Sequence, residues 1–383
     1  MTKLIIGFIP LLDCASLVAA SECGFAAEEG LDLTLVRETS WANIRDRLIV
    51  GHFDAAHMLG PMTVASSLGI GHIKVPLIAP CALGLGGNAI TVSLPLWDRM
   101  VREGGAVRGH PRLQGMVLRR VLHARAREEL QPLTFGMVYP FSCHNYELRH
   151  WLAASGIDPD RDVRLVVIPP PFLVDAMRAG QIDGFCVGEP WSSVAVDAGV
   201  GAIVACTGAI WPFSPEKVLG CRSEWAERHR AELSGLIRAL YWAARWCEQP
   251  ENHAELARRL AEPRYVGVAA ELLHRGLTGR LVLTPESLPT ELPGFYLPAS
   301  HSATFPWVSH ALWFYTQMVR WRQIEPALEH PSQAAGTYRP DLYRAALSPL
   351  GVESPREDTK LEVFFDDGVF DAADLTSGFS GRP

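Results

Sequence analysis

Residues 40–62 read SWANIRDRLIVGHFDAAHMLGPM. Ser40 stands where an N-cap belongs, and Ile44, Leu48 and Ile49 recur at helical spacing, so the stretch opens as an amphipathic helix. Gly51 stops it, FDAAHM (53–58) follows as a strand, and Gly60-Pro61 punctuates the chain again. A helix feeding a strand across one short turn is the working unit of an α/β fold. Trp41 in the first turn and His57 at the strand end lie at the edges of their elements. A packed core needs neither group there, so two element ends converging on a small ligand are the functional reading.

Outward from this unit the same alternation continues. Strands are expected over 3–9, 31–37, 53–58, 73–79, 88–93, 133–139, 163–168, 183–188 and 202–206, with helices over 14–28, 42–50, 145–155 and 171–179 between them. Strand–helix alternation implies parallel sheets covered by helices. From about 225 to 350 the pattern changes to long helices rich in Trp, Ala and Arg, such as 229–249. The last segment is acidic and reads as an arm laid over the surface.

The chain has 383 residues, 48% of them hydrophobic and 20% charged, which suits two α/β units rather than one core. Its net charge is −7, with 8 acidic against 3 basic residues after Gly351, so a basic footprint for nucleic acid is absent. The locally basic stretch 112–130 reads as the solvated face of an amphipathic helix. Eight cysteines include no CxxC pair and no zinc spacing, and several sit inside apolar strands. Buried free thiols in a reducing compartment, and no metal, are the expectation. Cys143-His144 has the residue types of a nucleophile and base, but adjacent residues rarely face each other, so no enzyme is expected. No GxGxxG follows a strand and no P-loop occurs, so no nucleotide cofactor is expected. Pro10 and Asp13 break the apolar run of the first residues, which therefore read as a buried strand rather than a leader peptide.

Several strands end at polar or aromatic residues just before a helix. Asp13 follows the first, Ser40-Trp41 the second and His57 the third. Ser142-Cys143-His144-Asn145 follows LTFGMVYP, and Glu189-Pro190-Trp191 follows DGFCVG. In open parallel sheets ligands bind beyond the carboxyl ends of the strands, and helix N-termini there suit an anion.

The blocks GFIPLLDCASLVAA, ETSWANIRDRL, FDAAHMLGPM, GGNAITVS, HNYELRHWLAASGIDPDRDV, DGFCVGEPW, PEKVLG, FPWVSHALWFYTQMVRW and RPDLYRAA resemble the NrtA/CmpA family of nitrate- and bicarbonate-binding proteins. The acidic VFFDDGVFD looks like that family's tail. The resemblance implies a type II periplasmic-binding-protein fold, two parallel-sheet lobes closing on an interlobe cleft. It divides the chain into 1–92 (first lobe), 93–200 (second lobe), 201–350 (first lobe, helical part) and 351–383 (acidic arm). Carried over residue by residue, it implies a ligand site of Trp41, His57, Trp97, Ser142, His144, Asn145, Glu189, Trp191, Pro215 and Lys217. Phe141-Ser142-Cys143 stands where transporters tend to carry Gly-Gly-Thr.

The resemblance extends to cytoplasmic nitrate/nitrite sensors of the NasS type, which hold an RNA-binding antiterminator, NasT, until the anion arrives. A cytoplasmic sensor with a NasT-like partner is therefore the leading expectation. The alternatives are the substrate-binding component of an ABC nitrate or bicarbonate transporter, and an enzyme on the same fold as in thiamine-pyrimidine synthesis. The enzyme would need a cofactor-lysine and a His- or Cys-rich motif that the chain lacks.

Overall fold

The computed structural model describes residues 1–71, 74–104 and 110–379. Two five-stranded sheets dominate it. The first runs in the order Leu31–Arg37, Thr2–Phe8, Ala55–Leu59, Lys217–Arg222, Leu77–Ala82. The second runs Gly201–Cys206, Asn88–Ser93, Gly184–Gly188, Thr134–Met137, Arg164–Val167. Each sheet is mixed rather than parallel, which corrects the expectation. Lys217–Arg222 pairs antiparallel with both its neighbours, and so does Asn88–Ser93.

These two strands share one topological cause: each is the first strand laid down after the chain crosses from the other sheet. An antiparallel strand begins at the carboxyl end of its parallel neighbours. Lys217 accordingly lies opposite Leu59, and Asn88 opposite Gly188. The crossings thus deliver Lys217 and Asn88 to the sheet ends where the parallel strands finish. The pairing also moves the expected boundaries, since residues 88–92 and the strand Gly201–Cys206 both belong to the second sheet. The strand expected at 73–79 runs over Leu77–Ala82, and Ile73 lies outside the described residues.

Three apolar clusters hold the fold. The first joins the outer face of the first sheet to the helical part, where Leu17 and Val18 of helix Ala15–Glu22 meet Leu236, Ile237 and Leu240 of helix Arg230–Glu248. Ala15 to Ala20 are all buried, because the long helix covers the side that a two-layer fold would leave wet. The second cluster crosses between lobes, with Ile9, Leu11 and Trp41 from one and Cys143, Tyr146 and Trp191 from the other. The third fills the far side of the second lobe. The arm does more than lie on the surface. Phe364 and Phe370 are buried, and the Phe364 ring lies 5.0 Å from Trp211 and 5.8 Å from Trp313. Residues 380–383 of the expected arm lie outside the described residues.

Candidate functional site

Where the carboxyl ends of the two sheets meet, charged groups are enclosed. The Lys217 ammonium lies 2.8 Å from Asp13 Oδ2 and also pairs with Glu216. Asp13 comes from the turn after strand Thr2–Phe8, so the pair ties the returning strand to the first. Asp13 Oδ1 is 2.9 Å from His57 Nε2, while the Ile9 N–H donates to His57 Nδ1 at 3.4 Å. That bond makes Nδ1 an acceptor and leaves the proton of a neutral imidazole on Nε2, toward Asp13. From the second lobe, His144 Nε2 reaches to 3.0 Å from Glu216 Oε1. One turn further along the same helix, Glu147 Oε2 accepts from Asn88 Nδ2 at 3.2 Å. The Trp41 ring lies 5.4 Å from Lys217 Nζ and 5.5 Å from the His57 ring.

Burial sets the electrostatics. It pushes the Asp13 carboxyl up, but the Lys217 ammonium and His57 outweigh it and hold Asp13 well below the usual carboxylate range. Burial pulls Lys217 down, yet Asp13 and Glu216 keep it firmly charged. Burial lowers His57, and it lowers His144 to about 4, so both rings are neutral. Burial, reinforced by the Glu216 carboxyl, raises Glu147 to about 8. Several polar atoms here have no hydrogen-bond partner among the described residues, including Trp41 Nε1, Asn88 Oδ1, His144 Nδ1 and Glu147 Oε1. A Cβ added to Gly188 would stand 3.2 Å from Asn88 Oδ1 and 3.5 Å from Asp13 Oδ2, so this glycine keeps a gap open where the lobes face.

Of the residues expected from sequence, the structure brings Trp41, His57, His144 and Lys217 together. The others are used differently. Ser142 caps helix Cys143–Ala154, its Oγ accepting from Asn145 N at 3.1 Å and donating to Tyr139 O at 2.7 Å. Both ends of the Asn145 amide are taken, by Pro140 O at 2.7 Å and Arg149 Nε at 3.1 Å. Glu189 Oε2 accepts from Ser193 N at 3.2 Å, so this carboxyl occupies the N-terminus of helix Trp191–Asp197 and faces Gly276 rather than Lys217. The Trp191 indole donates to Pro10 O at 3.1 Å and works as a clasp between lobes. Pro215 bridges to Leu85 beside the crossing. Trp97 packs with Leu96, Met100 and Val117 in the third apolar cluster, the one on the far side of the second lobe.

Sequence reading missed Asn88, Glu147 and Glu216 as members, and noted Asp13 only as a strand end. Glu147 did carry a signal. It stands three residues after His144 on one helix, where i and i+3 share a face, and every residue from Cys143 to Leu148 is buried. Asn88 carried none, because its place depends on which way its strand runs. A groove of about 430 Å³ lined by Arg119, His123 and Arg125 lies on the second lobe and includes none of these residues. Among the described residues no group of three or more His, Cys, Asp or Glu is arranged to hold a metal ion. No described helix is long and apolar enough to cross a membrane.

Comparison with known proteins places the chain. The model of the NMT1-like family matches residues 1–261. The nitrate/nitrite binding protein NrtA of Synechococcus elongatus is 33% identical over 377 residues, covering 96% of this chain and 83% of that protein. The nitrate import ATP-binding protein NrtC of Synechocystis is 36% identical over 367 residues, and the chain spans about half (53%) of its length. The crystal structure of the periplasmic nitrate-binding protein NrtA from Synechocystis superposes with a TM-score of 0.91 at 27% identity, covering 100% of this chain and 99% of that one. The alkanesulfonate-binding protein SsuA from Xanthomonas axonopodis shares the fold at a TM-score of 0.59, with 16% identity. NrtA and SsuA are binding proteins built on the periplasmic-binding-protein fold that this chain shares, and the chain belongs to the NMT1-like family.

Proposed function

We propose that the chain binds a small oxyanion, nitrate or nitrite, between its lobes and reports occupancy to a protein partner in the cytoplasm. One observation carries the anion reading. Lys217 is a buried ammonium with three donors, two of which face Asp13 and Glu216, and the Trp41 ring, whose Nε1 has no partner among the described residues, lies 5.4 Å from Nζ. An acceptor-only anion satisfies both open donors, and exclusion of water strengthens each charge-assisted bond. The names of the NrtA relatives support the choice of nitrogen oxyanions. Thermal melts of the ligand-free protein test it: nitrate at about 100 times its dissociation constant adds roughly 2.7 kcal/mol, while chloride at equal ionic strength adds much less. No shift with nitrate or nitrite overturns the reading.

The sensor role follows from the resemblance to NasS-type proteins, and the free cysteines, seven of eight of them buried, suit a reducing compartment. Residues 2–8 form an interior strand of the first sheet. The partner is a NasT-like RNA-binding antiterminator that prefers the open form and is released when the anion favours the closed one. Size-exclusion chromatography of the co-expressed pair is the test, and a complex equally stable with and without nitrate overturns it. The second reading, a substrate-binding component of an ABC transporter, is favoured by the transport names of NrtC and its bicarbonate counterparts. Capture of a membrane permease instead of the antiterminator would establish it.

A further inference from the structure

We propose that Glu147 sets the anion specificity of this site by holding a proton on Oε1 and donating it to an oxygen of the bound anion. The inference rests on the oxyanion reading above. Glu147 is 1% exposed, and among the described residues it has no ion pair. Its Oε2 already accepts from Asn88 Nδ2 and the Ser214 hydroxyl also faces the carboxyl, so a proton belongs on Oε1, which no fixed N–H donor among the described residues holds. Around it stand His144 and Cys143 on its own helix, Ser214 and Glu216 before the returning strand, Lys217 on that strand, and Cys186 on Gly184–Gly188.

The charge count leads to the same place. Asp13, Glu147 and Glu216 present three carboxyl groups to one ammonium, with both imidazoles neutral. Were all three ionised, the carboxylates would outnumber the ammonium by two and repel an arriving anion; with Glu147 neutral that excess falls to one and the anion finds one more donor. Burial and the neighbouring Glu216 carboxyl favour the acid form below about pH 8. Nitrate and nitrite carry no proton and only accept, so they match an acid. Bicarbonate brings its own O–H and pairs equally well with the ionised form.

Calorimetric titration of the full chain with sodium nitrate from pH 6.5 to 9, in two buffers of different ionisation enthalpy, tests this. Affinity should be level up to about pH 7.5 and about tenfold weaker at pH 9, since one pH unit beyond the titration costs one factor of ten. Proton uptake on binding should rise from near zero at pH 6.5 to nearly one at pH 9. Bicarbonate affinity should not fall over that range. In Glu147→Gln, which keeps the shape and a fixed N–H donor, the ratio of affinities between pH 6.5 and 9 should collapse to within about twofold. A flat profile in the unaltered protein overturns the proposal and leaves the oxyanion reading standing. Proton uptake that survives in Glu147→Gln also overturns it, and assigns the proton to His144, whose Nδ1 can meet an anion only as an imidazolium. Absence of nitrate binding at every pH overturns both.

Discussion

Lys217 Nζ and Asp13 Oδ2 meet at 2.8 Å, 204 residues apart in the chain and almost wholly out of water. This pair fastens the strand that returns from the second lobe to the first turn of the protein. Removing one partner of a buried ion pair costs about 3–5 kcal/mol, because the other charge is left uncompensated. Lys217→Met should therefore lower stability by that amount and remove nitrate binding, read by denaturant melts and calorimetry. Lys217→Met with Asp13→Asn should recover much of the stability but none of the binding. Additive losses in the double variant would show that the two groups act independently.

Stability should respond to pH in two opposite ways. His144, lowered to about 4 by burial, contributes stability that is present above the ordinary histidine value and lost as pH falls from about 6.5 toward 4. Glu147 and Glu189, raised by burial to about 8 and about 7, contribute stability that is present at low pH and lost as pH rises through those values. Between pH 6.5 and 8 the two carboxyl contributions fall by roughly 2 kcal/mol, partly offset by the histidine contribution that is still recovering just above pH 6.5, so stability should fall across that window. Melting curves at the two pH values measure it. A Glu147→Gln variant with an undiminished fall would exclude Glu147 as the main source.

Gly188→Ala should narrow the gap between Asn88 Oδ1 and Asp13 Oδ2, since its Cβ would press on both. Nitrate affinity should drop about tenfold, equivalent to about 1.4 kcal/mol, with a smaller loss of stability. Unchanged affinity would mean that the anion sits away from this gap.

Glu362 anchors the C-terminal arm. Its buried carboxylate accepts from Trp211 Nε1 at 3.1 Å and Ser309 Oγ at 3.2 Å, and lies 3.1 Å from His310 Nε2 and 3.3 Å from Lys360 Nζ. Glu362→Ala leaves the buried Trp211 and Ser309 donors unpaired and should cost about 2–4 kcal/mol. Limited proteolysis should then cut the arm faster than the rest of the chain. Equal protection in both proteins would mean that the apolar contacts of Phe364 and Phe370 hold the arm by themselves.

Local pattern determined a great deal here. The alternation of apolar runs with capped helices placed most of the strands of both sheets. Ser40 and Ser142 marked their helix starts through hydroxyls that do cap them. The strand ends pointed to Trp41, His57 and His144, and the resemblance to Lys217, because each stands beside a local break in pattern or inside a characteristic block. The strand KVLGCR was not expected from sequence, being buried along five of its six residues with no alternation to read, and strand direction was not legible either. Only tertiary structure decided that this strand and Asn88–Ser93 run against their neighbours, and so which residues begin at the binding end. Asn145 and Ser142 look like ligands in sequence because they are polar and precede a helix body, yet the fold uses their hydrogen bonds on its own backbone and on Arg149. Asp13, Glu147 and the adjacent Glu216-Lys217 pair gather because two chain crossings bring three distant segments to one point, and no window of sequence contains that juxtaposition.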